Sequence, residues 1–530
     1  FGPVVEDNYQ PAQPEDAEKP EGADQPESAE EPKSADRQES ADQQAVPAAA
    51  PAGATPVNKK DDGFWGNTIT VINNIADKVL NLTLKDVKID VSDTGDQYDW
   101  DQKGKAALSV QGKGNVEIEL DGDNELKSGT QSAGLEKTST GTLTLKDDNN
   151  EAGSLTATGG FNSAGIGGGY LGDGKNITIT GGTVNVTGGD NGGAGIGGGA
   201  EGGGGNNITI KGGTVTATGG GYSGTGGAGI GGGSSGSGEN ITINGGKVTA
   251  TGGSYAAGIG GGSVGFWGGE SGSGKNITIN GGTVNATGTD GGAGIGGGEN
   301  GNGEDITING GKVNASGAYG GAGIGGGVNG IGSKVTVSGA AQVTATATGS
   351  GPDWSGVGTG ATIGNGGSKT PDGPVDGKEI QADISGLTTG YIHHIIYNPD
   401  LDLDGKPDGI LKEWWEFALP KPIPDGESLD LHVETLKGAP LLFNTRQQGS
   451  TLRVTTDNLS ARLHGTRQAL ETLQEQGVEQ IQFVTTLKTT TLSVEDLLTE
   501  GGSWFALEHD GLGSRRLSAA QAESLKCQLR

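Results

Sequence analysis

Between residues 151 and 368, apolar and polar positions alternate in short bursts separated by glycine runs, and the bursts recur. The first places an Ile inside Ala-Gly-Ile-Gly-Gly-Gly, at Ile166, Ile196, Ile230, Ile259, Ile295 and Ile324. The second is Asn-Ile-Thr-Ile or a close variant, at Ile177/Ile179, Ile208/Ile210, Ile241/Ile243, Ile277/Ile279, Ile306/Ile308 and Val335/Val337. The third begins at Val184, Val215, Val248, Val284, Val313 and Val343. Successive copies of the first burst lie 29 to 36 residues apart, a period typical of solenoids. Residues two apart share one face of a strand, so Ile turns inward and Thr outward. The 3.6-residue stripe of a helix is missing. Three short strands and three glycine corners per period predict one coil of a parallel β-helix, which must stack on its neighbours to bury its inner face.

The rhythm continues upstream in weaker form through Leu135, Leu143/Leu145 and Leu155/Ala157, and earlier through Val116/Ile118/Leu120, Leu82/Leu84 and Val87/Ile89/Val91. Downstream, Ser-Gly-Val-Gly at Val357 reads as the last copy, giving roughly eight to ten coils at this period. The fold class expected is mainly β: a right-handed parallel β-helix solenoid over residues 61–370, with a small C-terminal α+β domain. Asn73 to Leu80 reads equally as an end cap or as an ordinary first coil. Residues 371–430 break the rhythm and read as a linker. In 431–530, Ala469 to Gln474 predicts a helix ended by Gly477, and Ile481 to Val484 a strand. Ser493-Val-Glu-Asp496 predicts a capped helix start, and Ser518 opens a last helix to Leu529.

Composition sharpens this. Residues 1–60 read as a disordered acidic tail: the first fifty hold thirteen acids against three bases, too little apolar surface to order itself. The chain has 109 Gly in 530 residues but only 18 Pro, and the glycines keep the repeat's period, so collagen and low-complexity readings fail. A net charge of −30 disfavours nucleic acid and anionic membranes. No apolar run is long enough to span a bilayer. The single Cys, Cys527, permits no intrachain disulfide. Met is absent and the chain opens on Phe1, so an exported protein is expected, secreted or held at a cell surface.

Candidate chemistry concentrates in the corner before each Ala-Gly-Ile-Gly segment. That corner carries Phe161, Tyr222, Tyr255, Tyr319 and Trp354, with Asp190 and Asp290 where an aromatic is missing, although aromatics are only 4% of the chain. Stacked corners would align the rings into a ridge, and large rigid ring faces pack against the apolar C–H faces of sugars. The alternative is that each ring folds back as a local cover. A polysaccharide or cell-surface glycan is therefore the expected partner. The outward Thr rows are ordinary strand residues. Gly stands where calcium-binding nonapeptide repeats place Asp, so no metal is expected in the repeats. Asp400, Asp402, Asp404 and Asp408, arranged around Gly405, instead match the start of a calcium loop, although Leu411 occupies the position of the closing Glu. A structural calcium is expected there, with a plain acidic turn as the alternative. Trp414 and Trp415 read as core.

Polysaccharide cleavage requires a carboxylate pair, or calcium carboxylates with a basic side chain. No Arg lies between Arg37 and Arg446, the first His is His393, and the acids of the repeats (Asp173, Glu201, Glu239, Glu270, Glu299) come one per coil. Glycan binding without catalysis is expected. The competing readings are a stalk presenting residues 431–530 to a protein partner, and a polysaccharide lyase or hydrolase.

The text Gly-Ala-Gly-Ile-Gly-Gly-Gly with Asn-Ile-Thr-Ile and Gly-Gly-Thr-Val resembles the Gly-rich β-helix repeats of surface and secreted proteins in gut Gram-positive bacteria. The resemblance covers about residues 80–368 and implies a carbohydrate-binding or adhesin-like role. The group's Leu-Pro-x-Thr-Gly wall anchor is missing from this sequence, and the repeats, being scaffold, transfer no functional residue.

Overall fold

The computed structural model describes residues 60–525, except 61, 100, 150, 223, 266, 267, 269, 350–355, 400–407 and 418–429. Its larger part is the expected stack of coils. Each coil contributes three strands, for example Ile196–Gly197, Gly205–Ile210 and Thr214–Thr218. Like strands pair in parallel from coil to coil, and the first set forms a ten-stranded sheet. Register is strict: Ile196 pairs with Ile166 and Ile230, Ile208 with Ile177 and Ile241, and Val215 with Val184 and Val248. All nine side chains are fully buried, because a period-two pattern in a closed coil leaves every second residue facing the interior.

The first strand is as short as two residues because its Gly takes a backbone that other residues avoid. Gly197, Gly231 and Gly296 have φ of 140°, 140° and 138°. A Cβ at Gly231 would meet the carbonyl oxygen of Gly260 at 2.0 Å. The Asn before Ile-Thr-Ile has a related cause. Asn176, Asn207, Asn240 and Asn276 take φ from 53° to 56°, the left-handed region that Asn tolerates best after Gly. Their amides bond up the stack, Asn207 Nδ2 to Asn176 Oδ1 at 2.6 Å and Asn276 Nδ2 to Asn240 Oδ1 at 3.2 Å.

Asn73 to Leu80 is the ordinary corner of the first coil, joining strands Ile69–Asn73 and Val79–Lys85. At the other end, the last short strand is Ile363–Gly364, not the segment at Val357. Ala361-Thr-Ile-Gly keeps the inward Ile of the pattern with Thr in place of one Gly. The stack also runs past residue 370. Ala382, Ile384, Leu387 and Ile392 join the coils' core. Strand Tyr391–Tyr397 pairs in parallel with Gln342–Thr348, and Ile410–Phe417 then returns antiparallel to it.

Residues 431–525 have their own core and two four-stranded sheets. The helix predicted near Ala469 spans Arg467–Glu475, with Thr466 Oγ1 accepting from Ala469 N as its N-cap. Ser493 caps Val494–Thr499 in the same way. The last helix covers Ala519–Leu525, the residues beyond lying outside those described. Arg462 is buried between Glu434 and Glu508, at 2.7 Å from each.

Candidate functional site

Each coil turns twice on one edge: a first corner leads from the Val strand into the Ile-Gly strand, and a second leads out of it. The two lock together, since Glu299 N donates to Tyr255 O at 2.8 Å and Ala200 N to Asn162 O at 2.8 Å. The second corner of one coil thus rests on the first corner of the coil before it.

The first corner needs one residue in the left-handed region. Asn162 and Asn191 fill it at φ 69°, Tyr255 at 62°, Asp290 at 48° and Tyr319 at 44°. Asn and Asp adopt this backbone readily, whereas a bulky side chain is an outlier there that costs about 1–3 kcal/mol. Two of the five predicted aromatics therefore occupy a strained position that Asn fills elsewhere in the stack.

The five do not form one ridge. Phe161 precedes the left-handed position by a residue and is half-buried. In its coil and the next, the corner position belongs to Asn162 and Asn191, whose amides bond at 2.6 Å. Thr225 Oγ1 continues that row to Asn191 Oδ1 at 2.8 Å. Tyr222 is lifted out of the row by a small hairpin, Gly221–Tyr222 against Thr225–Gly226; its side chain and Trp354 lie outside the described residues. Tyr255 and Tyr319 do share one register, on alternate coils about 10 Å apart at the usual strand spacing, with Asp290 in the coil between.

The surroundings of Tyr255 differ from the regular coils in two ways. The hairpin's Gly224 reaches the tyrosine ring, so that a methyl group there would sit 3.7 Å from Cε2. The second corner of the same coil is also enlarged: residues 263–273 separate Gly262 from the next strand, where residues 299–302 do so one coil later. A shallow cleft of about 450 Å³ follows, lined by Val264, Glu270, Ser271, Ser273, Asn300 and Asn302. Burial pushes the carboxyls of Asp290 and Glu299 above their usual range. Burial, and then the charges of Asp290 and Glu299, push the Tyr255 hydroxyl up. Two acids and a phenol, all half-buried, thus lie close together on the edge.

A second aromatic group went unrecognised in the sequence. On the outer face of the last two solenoid strands, His393 stacks on Trp415 at 3.7 Å, Tyr391 meets Trp415 edge-on at 5.0 Å, and Phe417 lies 6.0 Å away. Trp415 is 42% exposed, and Glu413 Oε1 lies 2.6 Å from His393 Nε2. Trp414 turns the other way and stacks on buried His394 at 4.4 Å. The expectation of a core pair therefore holds for neither as stated: Trp414 is half-buried and Trp415 belongs to the surface. Alternation in Glu413-x-Trp415-x-Phe417, read as a strand, would have separated them.

The Asp-rich segment is the connection between these same two strands. Asp400, Asp402 and Asp404 lie outside the described residues. Asp408 is exposed at the base of the loop, and its carbonyl accepts from Asn398 Nδ2 at 3.3 Å. Among the described residues, no three His, Cys, Asp or Glu side chains are grouped to hold a metal ion, and no helix is long and apolar enough to cross a membrane.

A family model described as a β-helix repeat matches the chain six times, over residues 151–170, 177–200, 208–234, 241–263, 277–299 and 306–328. These segments coincide with the central coils, and with the strand ladders they define a β-helix repeat protein. Searches of curated proteins and of solved structures return no match.

Proposed function

We propose that this β-helix protein acts outside the cell, secreted or surface-held, and binds a neutral polysaccharide along the corner edge around Tyr255, Asp290 and Tyr319 in the manner of an adhesin. The observation that carries the reading is the placement of two tyrosines in the left-handed corner position that other coils give to Asn. Strain of that kind is retained where the side chain has a task. An extended glycan lying along the stack would meet the two tyrosine rings on alternate coils, with the carboxyl of Asp290 accepting from sugar hydroxyls between them. The acidic surface disfavours sulfated or uronic acid chains. We read the edge as binding without cleaving: Asp290 and Glu299 come from the two corners of one coil, but no Arg lies nearby in the sequence to assist them, and the release assay below tests this reading.

The test is retention of the full chain on a panel of neutral and acidic plant, mucin and bacterial polysaccharides, with release of reducing ends followed in parallel. Tyr255→Ala with Tyr319→Ala should lose retention on neutral polysaccharides while far-UV circular dichroism stays unchanged. Retention that survives this pair would refute the corner site. New reducing ends would make the protein an enzyme. Failure of the wild-type chain to bind any member would favour a stalk that presents residues 431–525 to a protein partner.

A further inference from the structure

One end of the part formed by residues 431–525 gathers four leucines outside its core. Leu442, Leu459, Leu487 and Leu512 are 94%, 58%, 50% and 74% exposed, and each stands on a different turn. Leu441 and Phe443 pack against the core and leave Leu442 between them outside. Leu459 lies between strands Thr451–Thr455 and Ser460–Thr466. Leu487 is at the tip of the hairpin from Gln480–Val484 to Thr489–Ser493. Leu512 is at the tip from Trp504–Asp510 to Gly513–Arg516.

Hydrogen bonds bring the four turns together. Thr456 Oγ1 donates to Leu442 O at 3.0 Å, and Asn458 Nδ2 to Thr456 Oγ1 at 2.8 Å. Thr486 N donates to Asn458 O at 3.1 Å, and Thr486 Oγ1 to Asp457 O at 2.9 Å. Gly511 N donates to Ser460 Oγ at 3.3 Å. Turns favour Gly, Pro, Asn, Asp and Ser, so a leucine at each of four neighbouring tips serves no turn geometry. Gathered apolar side chains of this kind mark a contact surface.

We propose that this end rests on a neutral lipid bilayer, with the four leucines entering its surface. Three observations choose lipid as the occupant. Backbone groups of the tips are paired within the protein, by the bonds above and by Thr485 N donating to Lys488 O at 2.8 Å, and backbone that meets hydrocarbon must be satisfied internally. None of the four turns carries Trp, Tyr or Arg, which lead the hot spots of protein interfaces, where Leu is under-represented. Charge is the third. Lys437 and Lys488 border this end together with Asp457 and Asp510, leaving it without net charge. Residues 431–530 hold ten Lys and Arg against eleven Asp and Glu, so they carry only −1 of the chain's −30. An anionic surface repels the acidic remainder; a zwitterionic one does not. The contact stands apart from the corner edge and holds the chain whether or not that edge binds glycan.

In a density gradient, phosphatidylcholine vesicles should carry the full chain upward with the lipid. Leu442→Ser, Leu459→Ser, Leu487→Ser and Leu512→Ser combined should abolish flotation while far-UV circular dichroism stays unchanged, since all four side chains are exposed. Leu171→Ser with Ile331→Ser removes apolar side chains of the coils that are 60% and 57% exposed, and should leave flotation at the wild-type level. A wild-type chain that stays below the lipid would overturn the proposal and leave the four leucines to a protein partner. So would flotation that survives the fourfold variant, or flotation lost in the pair from the coils.

Discussion

Gly231→Ala should be among the most damaging small substitutions in the protein, and Gly202→Ala provides its measure. Gly202 has φ 101° and nothing within 4 Å of the place a methyl group would take, so Ala there bears the backbone cost alone, about 1–2 kcal/mol. Gly231 has φ 140°, and its methyl would lie 2.0 Å from the carbonyl oxygen of Gly260. That oxygen accepts from Gly232 N at 2.9 Å, so it cannot retreat without losing a bond of the ladder. Backbone strain, overpacking and a weakened hydrogen bond together amount to about 3–6 kcal/mol. Solenoid stability is approximately a sum of coil and interface terms, so the loss should appear first around the coil of Ile230. Urea unfolding followed by circular dichroism gives the overall change, and amide exchange at Gly232 gives the local one. Equal effects of the two substitutions would refute the claim that close coil contact dictates this glycine.

Other expectations follow from buried charge and from the Asp-rich loop. Burial, reinforced by His393 and Lys412, lowers the His394 imidazole to about 4. Its contribution is full above the unfolded value near 6.5 and is lost as pH falls toward 4, by up to ~3 kcal/mol. Burial pushes Glu379 and Glu416 the other way, so the test compares thermal midpoints of wild type and His394→Gln at each pH; parallel curves would dismiss the effect. Arg462→Met strands the buried carboxylate of Glu434 and leaves Glu508 to Arg515 alone, and should destabilise residues 431–525 by about 3–5 kcal/mol, seen as accelerated proteolysis of that part. Calcium is expected to raise the thermal midpoint of the wild-type chain but not of Asp402→Asn with Asp404→Asn. A midpoint indifferent to calcium and chelator would leave the loop a plain acidic turn.

The solenoid was legible because its rules are local. Ile-Thr-Ile determines which face turns inward, and the repetition of Ile177, Ile208 and Ile241 determines what stacks on what. The corner aromatics were legible as a class but not as a geometry. Whether a ring joins the row depends on which residue takes the left-handed backbone, and a shift of one position separates Phe161 from Tyr255. The extension past residue 370 was hidden because Ile384 and Leu387 enter the core from irregular segments without the repeat's period. Trp415 was legible in part: alternation along Glu413-x-Trp415-x-Phe417 sets it on the face opposite Trp414, but its stacking on His393 depends on a strand pairing that lies across a loop in the sequence.

The sameness of the coils bears on how the chain folds. A stack slipped by one period would still set Ile on Ile and Val on Val, so the apolar interior barely distinguishes the correct threading from its neighbours. The unequal loops do distinguish them. Gly226 N donates to Ser263 Oγ at 2.7 Å, and Ser263 N to Gly226 O at 2.9 Å, tying the hairpin of one coil to the enlarged corner of the next. Only one alignment brings those two irregularities together. They serve as the key that selects a single threading among near-equals, so trimming both to regular length should preserve the stack while slowing its refolding and broadening the states it reaches.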